Sequence, residues 1–149
     1  MTREIPQGLD VDYELTRFVR RVRTRGMSRL GEIHPDLDYP TFLFLIAICD
    51  ATDGVRGSEL AEHLGVHKST ASRAVSTLDE LGLIRRIPDP DDGRAQRLVP
   101  ETVALEKVAA FRQRSHAWLS AILSDWTAEE ITEFARSMAR LNDAAEQIP

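Results

Sequence analysis

The sequence predicts a mainly α-helical chain carrying one small β-hairpin, and three observations predict it. Apolar residues recur at three- and four-residue spacing through both ends of the 149 positions, the spacing that gives a helix one buried face. Gly54, Gly57, Gly65 and Gly82 cut the middle of the chain into short segments. Two runs rich in branched residues, LIRRIP and AQRLV, flank DPDDGR, whose Pro, Asp and Gly suit a turn.

Taken in order, a first helix is expected from about Val11 to Ile33, with Leu15, Phe18, Val19, Val22 and Leu30 as its apolar stripe. Arg17, Arg20, Arg21, Arg25 and Arg29 lie mostly off that stripe and read as a solvated or ion-paired face. Two prolines in HPDLDYP end the pattern, and Pro40 suits the first turn of a second helix. That helix, TFLFLIAICDA, is apolar on every side, so burial at the centre of the fold is expected. Cys49 within it is expected to be a small core residue. Ser58 is the expected N-cap of ELAEHL, and Gly65 forces a tight turn. A further helix covers about Lys68 to Leu81, with Gly82 as its stop. After the hairpin come a helix from Thr102 to about Leu123 and a last one. The last helix opens with the capping box Thr127-x-x-Glu130 and carries Ile131, Phe134, Ala135, Met138, Leu141 and Ala145 on one face. Helix, tight turn, helix and hairpin in the middle of this order make a winged helix-turn-helix.

Composition narrows the function classes. The longest apolar run, Phe42 to Cys49, is far short of the roughly 18 to 20 residues that cross a bilayer, so no membrane partner is expected. The opening MTREIPQGLDVD lacks the basic-then-apolar order of a secretory signal, and one cysteine allows no intrachain disulfide; a cytoplasmic location is expected. Net charge is -5, which disfavours indiscriminate coating of nucleic acid. Residues 57–100 hold six Lys or Arg against seven Asp or Glu, yet Val66 to Leu78 contains Lys68, Arg73 and no carboxylate. Any anion-binding role must therefore rest on placement.

Placement is what the fourth helix offers. Ala71, Ala74, Val75, Leu78 and Leu81 form its inward stripe, which leaves Ser69, Ser72, Arg73 and Ser76 at i, i+3, i+4 and i+7 on the opposite face. Ser and Thr are poorer helix formers than Ala, Glu or Lys by roughly 0.3 to 0.6 kcal/mol each. A DNA major groove about 12 Å wide supplies a reason to carry them: short donors and acceptors let the helix approach base edges and phosphates closely. Arg73 can hydrogen-bond guanine O6 and N7 in bidentate fashion, and Lys68, near the helix start, suits a phosphate. Thr70 belongs to the same surface. Arg94 and Arg97 fit a wing that reaches the backbone or a narrow minor groove, and Asp92 is placed to orient the Arg94 guanidinium. The expected DNA-binding set is Lys68, Ser69, Thr70, Ser72, Arg73, Ser76, Arg94 and Arg97.

The segment from Ser58 to Val99 resembles the DNA-binding lobe of the MarR family of transcriptional regulators. The matching residues are Leu60-Ala61, Leu64-Gly65-Val66, Ser69-Thr70-x-Ser72-Arg73, Leu78, Gly82-Leu83-Ile84-x-Arg86 and the wing pattern Asp92-x-Arg94. The order and length of the flanking helices extend the likeness over nearly the whole chain. The resemblance implies one MarR-like domain over 1–149, with 36–100 as the winged helix-turn-helix lobe and 1–35 and 101–149 as a helical dimerisation region. It implies a sequence-specific regulator of transcription, a repressor by expectation, that binds double-stranded DNA as a homodimer on a pseudo-palindromic operator. Apolar residues in the terminal helices, more than one small lobe could cover, agree with a dimer. Two departures stand out. Family members continue after the wing with Leu-Thr-x-x-Gly where this chain has Pro100-Glu101-Thr102-Val103-Ala104, and His67 occupies a position where better helix caps are common.

The resemblance also implies a small aromatic or lipophilic effector, seated between the DNA lobe and the dimer helices, that releases DNA. The candidate lining is His34, Tyr39, Phe42 and Trp118. The family's thiol switch uses a cysteine in the first helix, so that mechanism does not transfer to Cys49. His63 and His67 lie four apart, but Gly65 and Val66 form a turn between them and no third ligand is near, so no metal or other cofactor is expected. No nucleophile elbow, phosphate loop or Cys-x-x-Cys is present, and the chain does not read as an enzyme. The alternative is a helical protein-interaction module without specific DNA binding, built on the stripe from Ile131 to Ala145.

Overall fold

The computed structural model describes residues 10–147. Its elements are α1 (Val11–Met27), a 3-10 turn (Leu30–Glu32), α2 (Tyr39–Asp50), α3 (Gly57–His63), α4 (Lys68–Glu80), β1 (Ile84–Pro88), β2 (Gln96–Pro100), α5 (Thr102–Ile122) and α6 (Ala128–Glu146). The fold is mainly α with a two-stranded antiparallel hairpin, as the sequence pattern requires. The described residues divide within α5 into two compact units, the first ending at Phe111 and the second beginning at Arg112.

In the first unit the core gathers around α2, where Leu45 and Ile48 are wholly buried, and includes Leu60 of α3 and Leu78 of α4. Asp38 caps α2 by accepting the Thr41 N–H at 2.8 Å, and Pro40 occupies the first turn, where its missing N–H costs nothing. Burial extends round most of α2: Thr41, Phe42, Phe44, Leu45 and Ile48 are buried, and Ile46, Ala47 and Cys49 pack against the core. The helix packs against α3, α4 and β2, which leaves Leu43 43% exposed. Cys49 is half-buried against the core.

Three boundaries differ from the sequence reading. The first helix ends at Met27, where the Ser28 hydroxyl donates to the Arg25 carbonyl, and the chain continues as the short 3-10 turn. The N-cap of α3 is Arg56 and not Ser58: the Arg56 N–H donates to the Glu59 carboxylate at 2.9 Å, so the cap works through its acidic partner. The stripe of α1 is not a buried one. No residue of α1 is buried, and of the stripe only Leu30, in the 3-10 turn, enters the core.

The hairpin pairs Ile84 with Pro100 and Pro88 with Gln96. Val55 joins it as a one-residue third strand, donating to the Leu98 carbonyl at 3.1 Å and accepting its N–H at 2.8 Å. Gly54 makes this possible. Its φ is +78°, and a Cβ there would lie 2.7 Å from Val99 Cγ1 and 2.9 Å from the Leu98 carbonyl oxygen. Pro100 ends β2 without disturbing α5, whose first turn is held by Glu101 accepting the Ala104 and Leu105 N–H groups.

The second unit holds the end of α5 and all of α6. The capping box forms: Thr127 Oγ1 accepts the Glu130 N–H at 3.2 Å and Glu130 accepts the Thr127 N–H at 2.8 Å. The Thr127 N–H and, after it, the Thr127 hydroxyl at 3.0 Å donate to the Glu130 carboxylate and hold it below its ordinary range. Trp126 packs edge-on against Phe134 at 5.5 Å, and α6 contains no buried residue.

Gly54→Ala is expected to destabilise the first unit by about 2 to 3 kcal/mol, since steric conflict with the sheet adds to the cost of a left-handed backbone. Gly65→Ala, at φ +62° in open space, is expected to cost only about 1 to 2 kcal/mol. Urea unfolding of both variants checks the order.

Candidate nucleic-acid interface

Turning the Ala71, Ala74, Val75 and Leu78 side of α4 into the core leaves Lys68, Ser69, Thr70, Ser72, Arg73 and Ser76 all exposed on the other side. Thr77 departs from that face. It is half-buried, and its hydroxyl donates to the Arg73 carbonyl at 3.1 Å. His67 is the N-cap, with no side-chain cap bond. The Thr70 N–H is taken by the His67 carbonyl at 3.0 Å, and among the described residues the Lys68 and Ser69 N–H groups have no acceptor, at the helix end where the dipole favours an anion. Among the described residues, no hydrogen bond or ion pair engages the side chains of Lys68 or Arg73.

Between α3, α4 and the hairpin lies a groove of about 250 Å³, lined in part by Ser58, Lys68, Ser72, Arg86 and Gln96. Arg86 is steadied by Asp79 at 3.0 Å, tying β1 to the end of α4. Both partners are well exposed, so this pair orients more than it stabilises.

The wing is organised by a residue the sequence reading did not single out. Asp89 has a fully buried side chain, and its Oδ2 accepts from Arg56 Nε at 2.6 Å and from Arg97 Nε at 3.0 Å. Its Oδ1 accepts the backbone N–H groups of Asp91 at 2.8 Å and Asp92 at 3.2 Å. The Arg56 hydrogen bond is the largest influence on the carboxyl. Burial opposes it, but with the loop amides and Arg97 the balance holds Asp89 far below the usual carboxylate range. Reciprocally, Asp89 raises the Arg56 guanidinium. The signal was in the sequence, as an Asp between two prolines with arginines before and after it, but the partners lie 33 and 8 positions away.

Two expectations for the wing change. Arg97 is not a free cation: its side chain is 20% exposed and engaged by Asp89, with Asp91 at 3.5 Å. Asp92 does not hold the Arg94 guanidinium; its Oδ1 accepts the Arg94 backbone N–H at 3.1 Å, and its carbonyl accepts the Ala95 N–H. Arg94 is exposed, and its guanidinium has no hydrogen-bond or ion-pair partner among the described residues.

Of the candidate effector lining, Tyr39 and Phe42 come together, ring centroids 6.3 Å apart, but Phe42 is a core residue. His34 turns to its own loop, Nδ1 accepting the Asp36 N–H at 3.2 Å. Trp118 lies on α5 in the second unit, half-buried. Phe111, missed in the sequence, stands edge-on to Phe42 at 4.9 Å, with the Arg29 guanidinium 5.2 Å above its ring. Arg29, expected on a solvated or ion-paired face, is ion-paired and largely buried. Its side chain is only 13% exposed, its Nε lies 3.6 Å from Glu32, and its buried Nη2 has no hydrogen-bond partner among the described residues.

His63 ends α3 and His67 caps α4, so the two do not share a helix face. No group of three His, Cys, Asp or Glu placed to hold a metal ion occurs among the described residues. No described helix is long and apolar enough to cross a membrane.

A sequence model of the MarR family matches residues 36–95. An uncharacterised HTH-type transcriptional regulator of Bacillus subtilis, YxaD, is 30% identical over 136 residues, covering 90% of this chain and 92% of its own. Among solved structures, a MarR protein from Peptoclostridium difficile superposes with a TM-score of 0.75 at 22% identity, covering 99% of this chain and 95% of that one. A MarR family regulator of Listeria monocytogenes complexed with a 26mer DNA gives a TM-score of 0.74 at 19% identity, over 91% and 89% of the two chains.

Because the folded state holds Asp89 ionised at a lower pH than the unfolded chain does, its contribution is complete well above the ordinary carboxyl value of 3.8 and fades as pH falls through that value. Asp89→Asn is therefore expected to be less stable than the unaltered protein at neutral pH. The gap in urea midpoint should narrow from about pH 5 to about pH 3; a gap independent of pH would count against the ion pairs as its source.

Proposed function

This chain belongs to the MarR family of transcriptional regulators and is a DNA-binding regulator of transcription, and from that premise we propose that it acts as a homodimer on a pseudo-palindromic operator. The observation that carries the reading is the outward face of α4, where short hydroxyl side chains surround an unengaged Arg73 and no carboxylate intervenes until Asp79. In this reading Ser69, Thr70, Ser72, Arg73 and Ser76 meet base edges and nearby phosphates in the major groove, and Lys68 holds a phosphate at the helix start. Arg94 reaches from the wing to the backbone or minor groove. Arg97, engaged by Asp89, supports the wing from within. The lobe over 36–100 does the reading, and 1–35 with 101–149 joins the two copies.

Support for the dimer comes from apolar surface. Neither α1 nor α6 buries a residue, while Val19, Val22, Phe134 and Leu141 are 40 to 54% exposed. Exposed apolar faces on two helices mark an interaction surface, and two-fold symmetry is what sets two recognition helices about 34 Å apart on one side of a duplex. The family is regulatory, and we assign the chain no catalytic role. Cytoplasmic location, repression as the output, and release by a small aromatic or lipophilic effector near Tyr39 belong to the same proposal. An effector of that kind releases DNA only so far as it binds the non-DNA arrangement more tightly.

Selection from a random DNA pool, followed by anisotropy titration, tests the reading. The selected duplex should bind more tightly than a scrambled one, with affinity falling as salt rises. Arg73→Ala is expected to lose roughly 1 to 3 kcal/mol of discrimination at one base position; equal weakening on every duplex would make it a phosphate contact instead. Equal, weak binding of selected and scrambled duplexes by the unaltered protein would favour the protein-interaction module. Sedimentation should give twice the chain mass for the unaltered protein and a shift towards the monomer for Leu141→Glu. An unshifted variant would remove α6 from the interface.

A further inference from the structure

Asp89 spends a buried carboxylate on four donors drawn from three places: the N-cap of α3, strand β2 and the loop between the strands. A structural ion pair needs only one partner. Here both oxygens are used, and the two amides that bind Oδ1 are those that start the loop. The next link runs from Asp92, whose carboxylate and carbonyl fix the Arg94 and Ala95 N–H groups, and the Ala95 carbonyl closes the circuit by accepting the Asp89 N–H at 3.0 Å. Arg94 thus leaves a loop whose backbone is fixed on both sides, while its own side chain stays unengaged among the described residues.

We propose that Asp89 is the positioning residue for the DNA contact of the wing, holding the loop so that the Arg94 guanidinium meets the duplex without the loop first having to be ordered. The inference rests on the DNA-binding reading above. Its physical basis is preorganisation: a flexible loop gives up conformational freedom on binding, and a loop already ordered does not. Arg56 and Arg97 serve the same end, because their engagement by one carboxylate ties the wing to the start of α3 and withholds two other cations from the loop surface. Among the described residues no hydrogen bond or ion pair joins the side chains of Asp89 and Arg94, so coupling between them is expected to pass through the loop backbone.

The experiment is a double-mutant cycle on the duplex selected by the unaltered protein, comparing it with Arg94→Ala, Asp89→Asn and the double variant. In the unaltered background Arg94→Ala should weaken binding by about tenfold, a change of about 1.4 kcal/mol. In the Asp89→Asn background the same substitution should weaken it by roughly twofold or less. A mere loss of folded protein lowers binding equally with and without Arg94, so it leaves the ratio unmoved. Should Asp89→Asn fail to fold, Arg97→Gln keeps the carboxylate paired with Arg56 and should still reduce the Arg94 effect. Absence of sequence-selective binding by the unaltered protein would overturn the DNA-binding reading and this inference with it. Selective binding with a full tenfold Arg94 effect in the altered background would overturn this inference alone.

Discussion

The buried carboxylate of Asp89 is the constraint around which the lobe is arranged. An ionised group taken out of water is tolerated only where hydrogen bonds and opposite charge replace its hydration, and every donor that does so here belongs to an element that must be held in register. Arg56 brings the start of α3, Arg97 brings β2, and the amides of Asp91 and Asp92 bring the loop. Removing any one leaves the others facing an undercompensated charge, so these elements move together or not at all.

A second link works by shape instead of charge. Gly54 admits the sheet so closely that a methyl group there would collide with it, and Val55 then exchanges two hydrogen bonds with Leu98. The chain just before the helix-turn-helix is thereby fastened to the same strand that carries Arg97. Charge at one end and close backbone approach at the other make the hairpin part of the lobe and not an appendage, which would suit the proposed contact of wing and α4 with one duplex.

Periodicity made the helices legible, and the spacing of Ala71, Ala74, Val75 and Leu78 was enough to say which face of α4 would meet water. What periodicity could not give was the choice of partners over distance. Asp89 sits in a stretch that reads as a loop of solvated charge, and its burial depends on Arg56 arriving from 33 residues earlier. The same limit hid the partner of Arg97, which reads as a wing cation until the register of β2 turns it towards Asp89, and the Phe111 ring beneath Arg29. Ser58 lost the α3 cap to Arg56 for a related reason: a capping box needs only the acidic member to reach back, and Glu59 reaches Arg56.

Net charge and local charge part company in this chain for a reason that follows from the same bonds. Overall the protein carries -5, and the wing is rich in aspartate, a poor composition for meeting phosphates. The structure offsets part of that penalty by pairing: Asp89 is buried between two guanidinium groups, Asp79 faces Arg86 at the surface, and the exposed Asp92 carboxylate accepts the Arg94 backbone N–H. Lys68, Arg73 and Arg94 are left exposed with their side chains unengaged among the described residues. Electrostatic attraction decays over about 8 Å at physiological salt, so in the proposed reading a duplex at this surface would respond to those cations more than to acidic residues elsewhere. An acidic protein can in this way present a cationic face, and its remaining negative charge disfavours the indiscriminate binding that would compete with a specific site.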